Sequence, residues 1–246
     1  MGPIPSDEGG KHYFLDLYIC SYTPTLSALI QSRNRILGSR SSTQLNLLLV
    51  AQPDSSLPTV NGEIQVVQDL RGNTNIEVTS LISKVATSAA VMDGFRHHQF
   101  VQFACHGTLE AGNPFEAGFE LCGGERLTLL EIVRSHLPAA EFAFLFACHT
   151  AEVTEGSIVD EVLHLAAAVQ YCGLSVVGTM WAMADEDGRD LAEYFYKAVF
   201  STSAGREQGA PYHERSAKAL RFAVKKLRRK RRITLERWVN FVHYGA

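Results

Sequence analysis

Two residues of this chain have the types and setting of a nucleophile and its base: Cys148 and His106. Each closes a short apolar run. Gln99-Phe100-Val101-Gln102-Phe103-Ala104-Cys105 delivers His106-Gly107, and Phe142-Ala143-Phe144-Leu145-Phe146-Ala147 delivers Cys148-His149-Thr150. A thiol attacks a carbonyl as its thiolate, and a neighbouring imidazole can take that proton and later return it to a leaving amine. Gly107 follows the base without a side chain, so its backbone N–H can approach a substrate carbonyl. With the N–H of Cys148 it would form an oxyanion hole, whose individual donors are worth roughly 3 kcal/mol of transition-state stabilisation. No carboxylate that would orient His106 is identifiable from the sequence.

The same residues have plainer readings. A cysteine at the end of a buried strand also serves as a small apolar filler, and Cys105, Cys122 and Cys172 are read that way. His149 reads as a side chain on the rim of the site, and His97 and His98 as surface residues ending a helix. Cys105, His106, Cys148 and His149 match no structural zinc spacing, and neither a Gly-x-x-x-x-Gly-Lys loop nor a Gly-x-Gly-x-x-Gly turn is present. No metal or cofactor is therefore expected.

The elements around these residues must bring them side by side. Both runs have the unbroken apolar character of strands buried on two faces, and such strands, laid parallel in an open sheet, present their carboxyl ends along one functional edge. Between them a hairpin and helix would make the crossover. Elsewhere strand and helix signals alternate. Residues 15–21 read as a strand and 23–37 as an amphipathic helix with Leu26, Leu29, Ile30 and Ile36 on one side. Residues 46–52 are an apolar strand, 63–70 a helix and 76–81 a weaker strand, and Ser88 can cap a helix running to about Arg96. Residues 118–122 and the Gly123-Gly124 turn belong to a hairpin, and Thr128-Leu129-Leu130-Glu131 is a capping box. Beyond Cys148, a helix over 158–172 stops at Gly173, a strand covers 174–181, a helix spans about 188–200, and Pro211 opens a last helix with Ala217, Leu220, Val224 and Leu227 inside. The pattern predicts an α/β fold: a mostly parallel central sheet with helices on both faces.

Composition sets further bounds. The 246 residues, 46% of them apolar, suit one sizeable core, so residues 1–11 are read as a flexible leader and 12–246 as a single domain. Five cysteines without a disulfide-like spacing point to a reducing compartment, the cytoplasm, and no apolar run reaches membrane-spanning length. The net charge of −3 argues against bulk binding to nucleic acid or anionic lipid. The run Lys225-Lys226-Leu227-Arg228-Arg229-Lys230-Arg231-Arg232 reads as the solvated end of a helix, with a nuclear-import or nucleic-acid patch as the alternative.

Several motifs occur together in order: Tyr22-Thr23-Pro24-Thr25-Leu26-Ser27-Ala28-Leu29, Ala104-Cys105-His106-Gly107, Asn113-Pro114, Gly118-Phe119-Glu120-Leu121, Leu127-Thr128, Ala147-Cys148-His149-Thr150, Gly178-Thr179-Met180-Trp181 and Trp238-Val239-Asn240-Phe241. Over residues 12–245 the chain resembles a CHAT domain, the caspase-like domain found with TPR repeats and related to separase. The resemblance implies a caspase-like three-layer fold and a His/Cys dyad, carried over as His106 and Cys148. Two positions depart from the family pattern: Phe146 stands where a serine is common, and His149 where an acidic residue is common. The implied function is an intracellular cysteine endopeptidase acting on a protein or peptide substrate, with a TPR-containing or other regulatory region as partner. The alternative is an inactive interaction module of a larger signalling or cell-death protein. The stretch from Trp181 to Asp187 looks like the separase segment in which an acidic side chain receives arginine. That likeness implies a basic residue before the cut, with Asp185 its leading contact, Asp187 second, and Trp181 lining the pocket. Asp187 could instead cap the helix that follows. The segments 108–117 and 151–157, which contain Gly112 and Gly156, are the expected moving parts of the cleft.

Overall fold

In the computed structural model the alternation of buried side chains along the first strand, β1 (Leu45–Ala51), sets up a sheet with two covered faces. Leu47, Leu49 and Ala51 enter one apolar cluster and Leu48 and Val50 the other, as a period of two requires. The structure describes residues 13–38, 45–53, 60–73, 75–108, 113–135, 137, 139–145, 162–181, 185–200, 212–231 and 233–245. Before β1 come α1 (Phe14–Leu17) and α2 (Leu26–Gly38); after it come α3 (Val60–Asn73), β2 (Ile76–Ile82), α4 (Ser88–Gly94) and β3 (Phe100–Ala104). A three-stranded antiparallel ribbon follows, β4 (Gly107–Thr108), β5 (Gly118–Glu120) and β6 (Arg126–Thr128), and then α5 (Leu129–Arg134) and β7 (Phe142–Leu145). The chain continues through α6 (Val162–Tyr171), β8 (Ser175–Thr179), α7 (Asp185–Val199), α8 (Tyr212–Arg231), α9 (Leu235–Val239) and β9 (Phe241–Tyr244).

Among the described residues the main sheet has the order β2-β1-β3-β7-β8-β9, parallel except for β9. The expected mostly parallel sheet with helices on both faces is therefore present. One face is covered by α3, α7 and α8. There Phe100, Phe142 and Phe144 meet Phe195, Tyr196 and Phe200, with Phe142 and Phe195 stacked at 5.4 Å between ring centroids and Tyr196 and Phe200 at 5.7 Å. Gln102 lies within this apolar layer. Its amide is satisfied there: Tyr196 Oη donates to Oε1 at 2.6 Å, and Nε2 donates to Glu63 Oε2 at 3.4 Å. The opposite face packs Val101, Phe103, Ala143, Leu145 and Val176 under α4, α5 and α6.

Local signals survive folding where their partners are close in sequence. Thr128 and Glu131 form a capping box at α5, Gly173 sits just past α6 with φ 89°, and Ala217, Leu220, Val224 and Leu227 are buried on α8. The ribbon needs Gly118, because a Cβ there would stand 2.3 Å from the Leu127 carbonyl oxygen. The cap of α4 is Thr87, one residue before Ser88, and α7 begins at Asp185.

Two expectations give way to tertiary contacts. Residues 15–21 do not form a strand: the Asp16 carboxylate accepts from the Tyr13 N–H at 3.1 Å and starts a short helix, and Arg221 donates to the Leu15 and Asp16 carbonyls, tying that helix to α8. Tyr22 then runs beside Tyr244 as an isolated parallel bridge. Among the described side chains of α2 the buried ones are Ala28 and Ser32, while Leu26 is 75% exposed; the Ile36 side chain lies outside the described residues. The helix approaches α6 through its small side chains, with Ser32 Oγ donating to the Gly173 carbonyl at 3.4 Å, and that close approach outweighs the apolar stripe.

Candidate active site

The carboxyl ends of β3, β7 and β8 lie next to one another at one edge of the sheet, because these three parallel strands are neighbours in that order. His106 and Gly107 leave β3, residues 146–150 leave β7, and Met180-Trp181 leave β8. The main chain of His106 is held by the ribbon: its carbonyl accepts from the Glu120 N–H at 2.8 Å, and Gly107 pairs with Phe119. Phe119 in turn stacks on Phe103 of β3 at 4.0 Å and 11°, so the ribbon is locked onto the strand that delivers the histidine. His106 is half-buried and Gly107 buried. Cys148 and His149 lie outside the described residues, as do residues 109–112 and 151–157 of the two expected mobile segments.

Cys105, one residue before His106, is a different kind of thiol. It is fully buried in the layer under α4, α5 and α6, and burial, with the charges of Glu120 and Glu63, pushes its pKa far up. A thiol so held stays protonated and is a poor nucleophile. Cys122 and Cys172 are half-buried, and Cys172 Sγ donates to the Ile132 carbonyl at 3.6 Å.

The expected substrate contacts separate. Trp181 is half-buried at the end of β8. Asp185 opens α7, and its side chain lies outside the description. Asp187 is fully buried, and its two carboxylate oxygens accept from Arg237 Nε and Nη2 at 2.7 and 2.8 Å. The helix-cap alternative for Asp187 is therefore replaced by a bidentate ion pair that joins the first turn of α7 to α9.

Two residues important to this edge drew no role from the sequence reading: Arg237 and Asn240. Asn240 is fully buried. Its Oδ1 accepts from the Met180 and Trp181 N–H groups, both at 2.8 Å, and its Nδ2 donates to the Trp181 carbonyl at 2.8 Å. The signal that could have found it is an amide inside the otherwise apolar run Trp238-Val239-Asn240-Phe241.

The basic run ends α8 with Lys226, Arg229 and Lys230 exposed, as a solvated helix end would be, while some of its side chains reach back to the protein. Arg228 pairs with both oxygens of Asp16 and lies 5.3 Å from the ring centroids of both Tyr13 and Trp238. Lys230 reaches Asp190 at 3.5 Å, and Lys226 sits over the Tyr194 and Phe222 rings. Among the described residues no cluster of three or more His, Cys, Asp or Glu could hold a metal, and no helix is long and apolar enough to cross a membrane.

Comparison with known proteins reproduces this architecture. A family model for the CHAT domain matches residues 4–246. Among solved structures the chain is similar to separase in the Saccharomyces cerevisiae separase–securin complex, with a TM-score of 0.55 at 14% sequence identity over 92% of this chain. The match spans only 14% of that separase chain. No curated protein matches the sequence. The fold is accordingly caspase-like, with three layers around a mostly parallel sheet.

Proposed function

The chain belongs to the CHAT-domain family, and from that premise we propose that it is a cysteine endopeptidase in which His106 activates Cys148. The observation that carries the reading is the pairing of the two central strands. β3 and β7 run parallel with Phe103 opposite Leu145, and counting three residues further along each chain gives His106 and Cys148. In the proposed reaction His106 takes the thiol proton and the thiolate sulfur adds to the scissile carbonyl carbon, while the N–H groups of Gly107 and Cys148 stabilise the oxyanion. His106 then protonates the leaving amine as the C–N bond breaks. Water, deprotonated by the same imidazole, hydrolyses the thioester and returns the free thiol.

The substrate we propose is a protein or peptide with a basic side chain before the scissile bond. Asp185 is the proposed contact, since Asp187 is already committed to Arg237. The similar separase is seen in complex with securin, and a regulatory protein partner is the corresponding proposal here. The free cysteines support a reducing compartment, for which we propose the cytoplasm. A second reading, an inactive interaction module, is favoured by the bulky Phe146 and the His149 that flank the Cys148 position.

An acyl activity-based probe separates the two. The peptidase reading expects labelling of the wild type that disappears in Cys148→Ala and falls by about 100-fold or more in His106→Ala, with both variants folded. Folded wild type that resists labelling in the presence of candidate activating partners would establish the inactive module instead.

A further inference from the structure

We propose that Asn240 and Arg237 are positioning residues for the span from Trp181 to Asp187, so that the corner between α9 and β9 governs which side chain the pocket before the scissile bond accepts. The proposal rests on the peptidase reading for its substrate, while the clamp itself stands on geometry.

That geometry begins with a short stretch that grips both ends of one span. At the near end, the Asn240 side chain satisfies the N–H groups of Met180 and Trp181 and the carbonyl of Trp181, and its own carbonyl accepts a second bond from the Met180 N–H at 3.0 Å. At the far end, three residues earlier in the chain, Arg237 holds both carboxylate oxygens of Asp187. Trp238, between the two, is buried, meets the Tyr13 ring edge-on at 5.0 Å between centroids and lies against Arg228, so the gripping stretch is itself anchored in the core.

The chemistry at each end is specific. A carboxamide combines an acceptor that can serve two N–H groups with a donor that can serve a carbonyl. Asp lacks the donor, and Ala or Val would remove the side-chain partners of the Trp181 N–H and carbonyl, while the Met180 N–H would keep its bond to the residue 240 carbonyl. The guanidinium matches the Asp187 carboxylate in a planar two-point contact that lysine cannot reproduce. The near end directly follows β8, whose carboxyl end lies beside those of β7 and β3. What the clamp fixes is therefore the entry of the span at Met180 and Trp181 and its exit at Asp187, so that loosening it should weaken substrate binding more than the chemical step.

The test uses the full chain and three readouts. Asn240→Ala and Arg237→Lys are compared with wild type by hydrogen exchange over residues 178–190, by kcat and KM on matched peptides carrying arginine or alanine before the cut, and by the rate at which iodoacetamide alkylates Cys148. We expect faster exchange confined to that segment, a KM for the arginine peptide raised by about tenfold in Asn240→Ala and less in Arg237→Lys, and little change in kcat or in alkylation. The paired swap Asp187→Arg with Arg237→Asp is the sharpest arm. If the pair works by holding the span, the swap retains the preference for arginine; a reversal toward acidic residues would make residue 187 itself the substrate contact and overturn the proposal. Exchange that is unchanged, or raised equally across the sheet, also overturns it. Should the swap fail to fold, Arg237→Lys still decides the matter, because it keeps the charge and removes only the two-point fit. A wild type that cleaves neither peptide overturns the peptidase reading, and the exchange rates then judge the clamp by themselves.

Discussion

Two aspartate–arginine pairs tie distant segments to the C-terminal part of this chain, and they differ in how completely the acid is sealed and how far the base reaches water. In the Asp16–Arg228 pair both side chains are partly buried, 11% and 22% exposed, and the guanidinium also rests on the rings of Tyr13 and Trp238. Lys225 stands 3.8 Å from the same carboxylate. In the Asp187–Arg237 pair the acid is completely sealed while the base is 39% exposed. In the first pair a second cation, Lys225, stands beside the carboxylate, whereas the second pair encloses its carboxylate completely. Equal chemistry thus gives unequal dependence. The Asp16–Arg228 pair fastens α1 to α8, whereas the Asp187–Arg237 pair fixes the start of the helix after the candidate specificity span.

Removing Arg237 breaks the comparison most severely. Arg237→Ala leaves a carboxylate buried without its countercharge and should cost about 3–5 kcal/mol in chemical denaturation. Asp187→Ala leaves behind an arginine that water can reach, and should cost only about 1–2 kcal/mol. Equal losses from the two substitutions would show that the burial asymmetry is energetically irrelevant.

The Asp16–Arg228 pair should give a smaller and pH-dependent loss. Burial raises the Asp16 pKa, but hydrogen bonds from Arg228 and the Tyr13 N–H, with the charges of Arg228 and Lys225, outweigh it and hold the carboxyl below its ordinary value of 3.8. A group depressed in the folded state stabilises fully above its unfolded pKa, and that contribution is lost as pH falls through the folded value. Asp16→Asn should therefore cost about 1–2 kcal/mol at pH 7, and the difference from wild type should shrink as unfolding is measured below about pH 4. A difference that stayed constant from pH 7 to pH 2 would assign the cost to packing alone.

The smallest effect belongs to Lys225→Ala, expected to change stability by no more than about 0.5 kcal/mol, since the lysine is distant and the Arg228 bonds remain. A loss comparable to that of Asp16→Asn would mean that Lys225, and not Arg228, dominates this corner.

The division between what the amino-acid order decided and what folding decided follows the range of the interactions. Strand β1, the capping box at Thr128 and Glu131, the stop at Gly173 and the inner face of α8 were all legible, because each depends on residues within a few positions of one another or on burial that a run of apolar side chains announces by itself. The two strand ends that carry His106 and lead toward Cys148 belong to the same class. Residues 15–21 look extended in isolation, yet they form a helix and an edge segment because Arg221 and Arg228, more than 200 positions away, hold Asp16. Leu26 and Ile30 mark the apolar side of α2, yet both are exposed, while the small Ala28 and Ser32 are the side chains buried among the described residues of that helix. Asp187 reads from its neighbours as a cap or a substrate contact, and Asn240 as an oddity in an apolar run. Their partners lie 50 and 59 positions away, and no local pattern encodes a pairing across that distance. Composition and periodicity could settle the strands and helices whose signals are local, though not residues 15–21; which polar groups meet when those segments pack was decided only by the tertiary structure, because a buried carboxylate or amide takes the partner that the packing brings within reach.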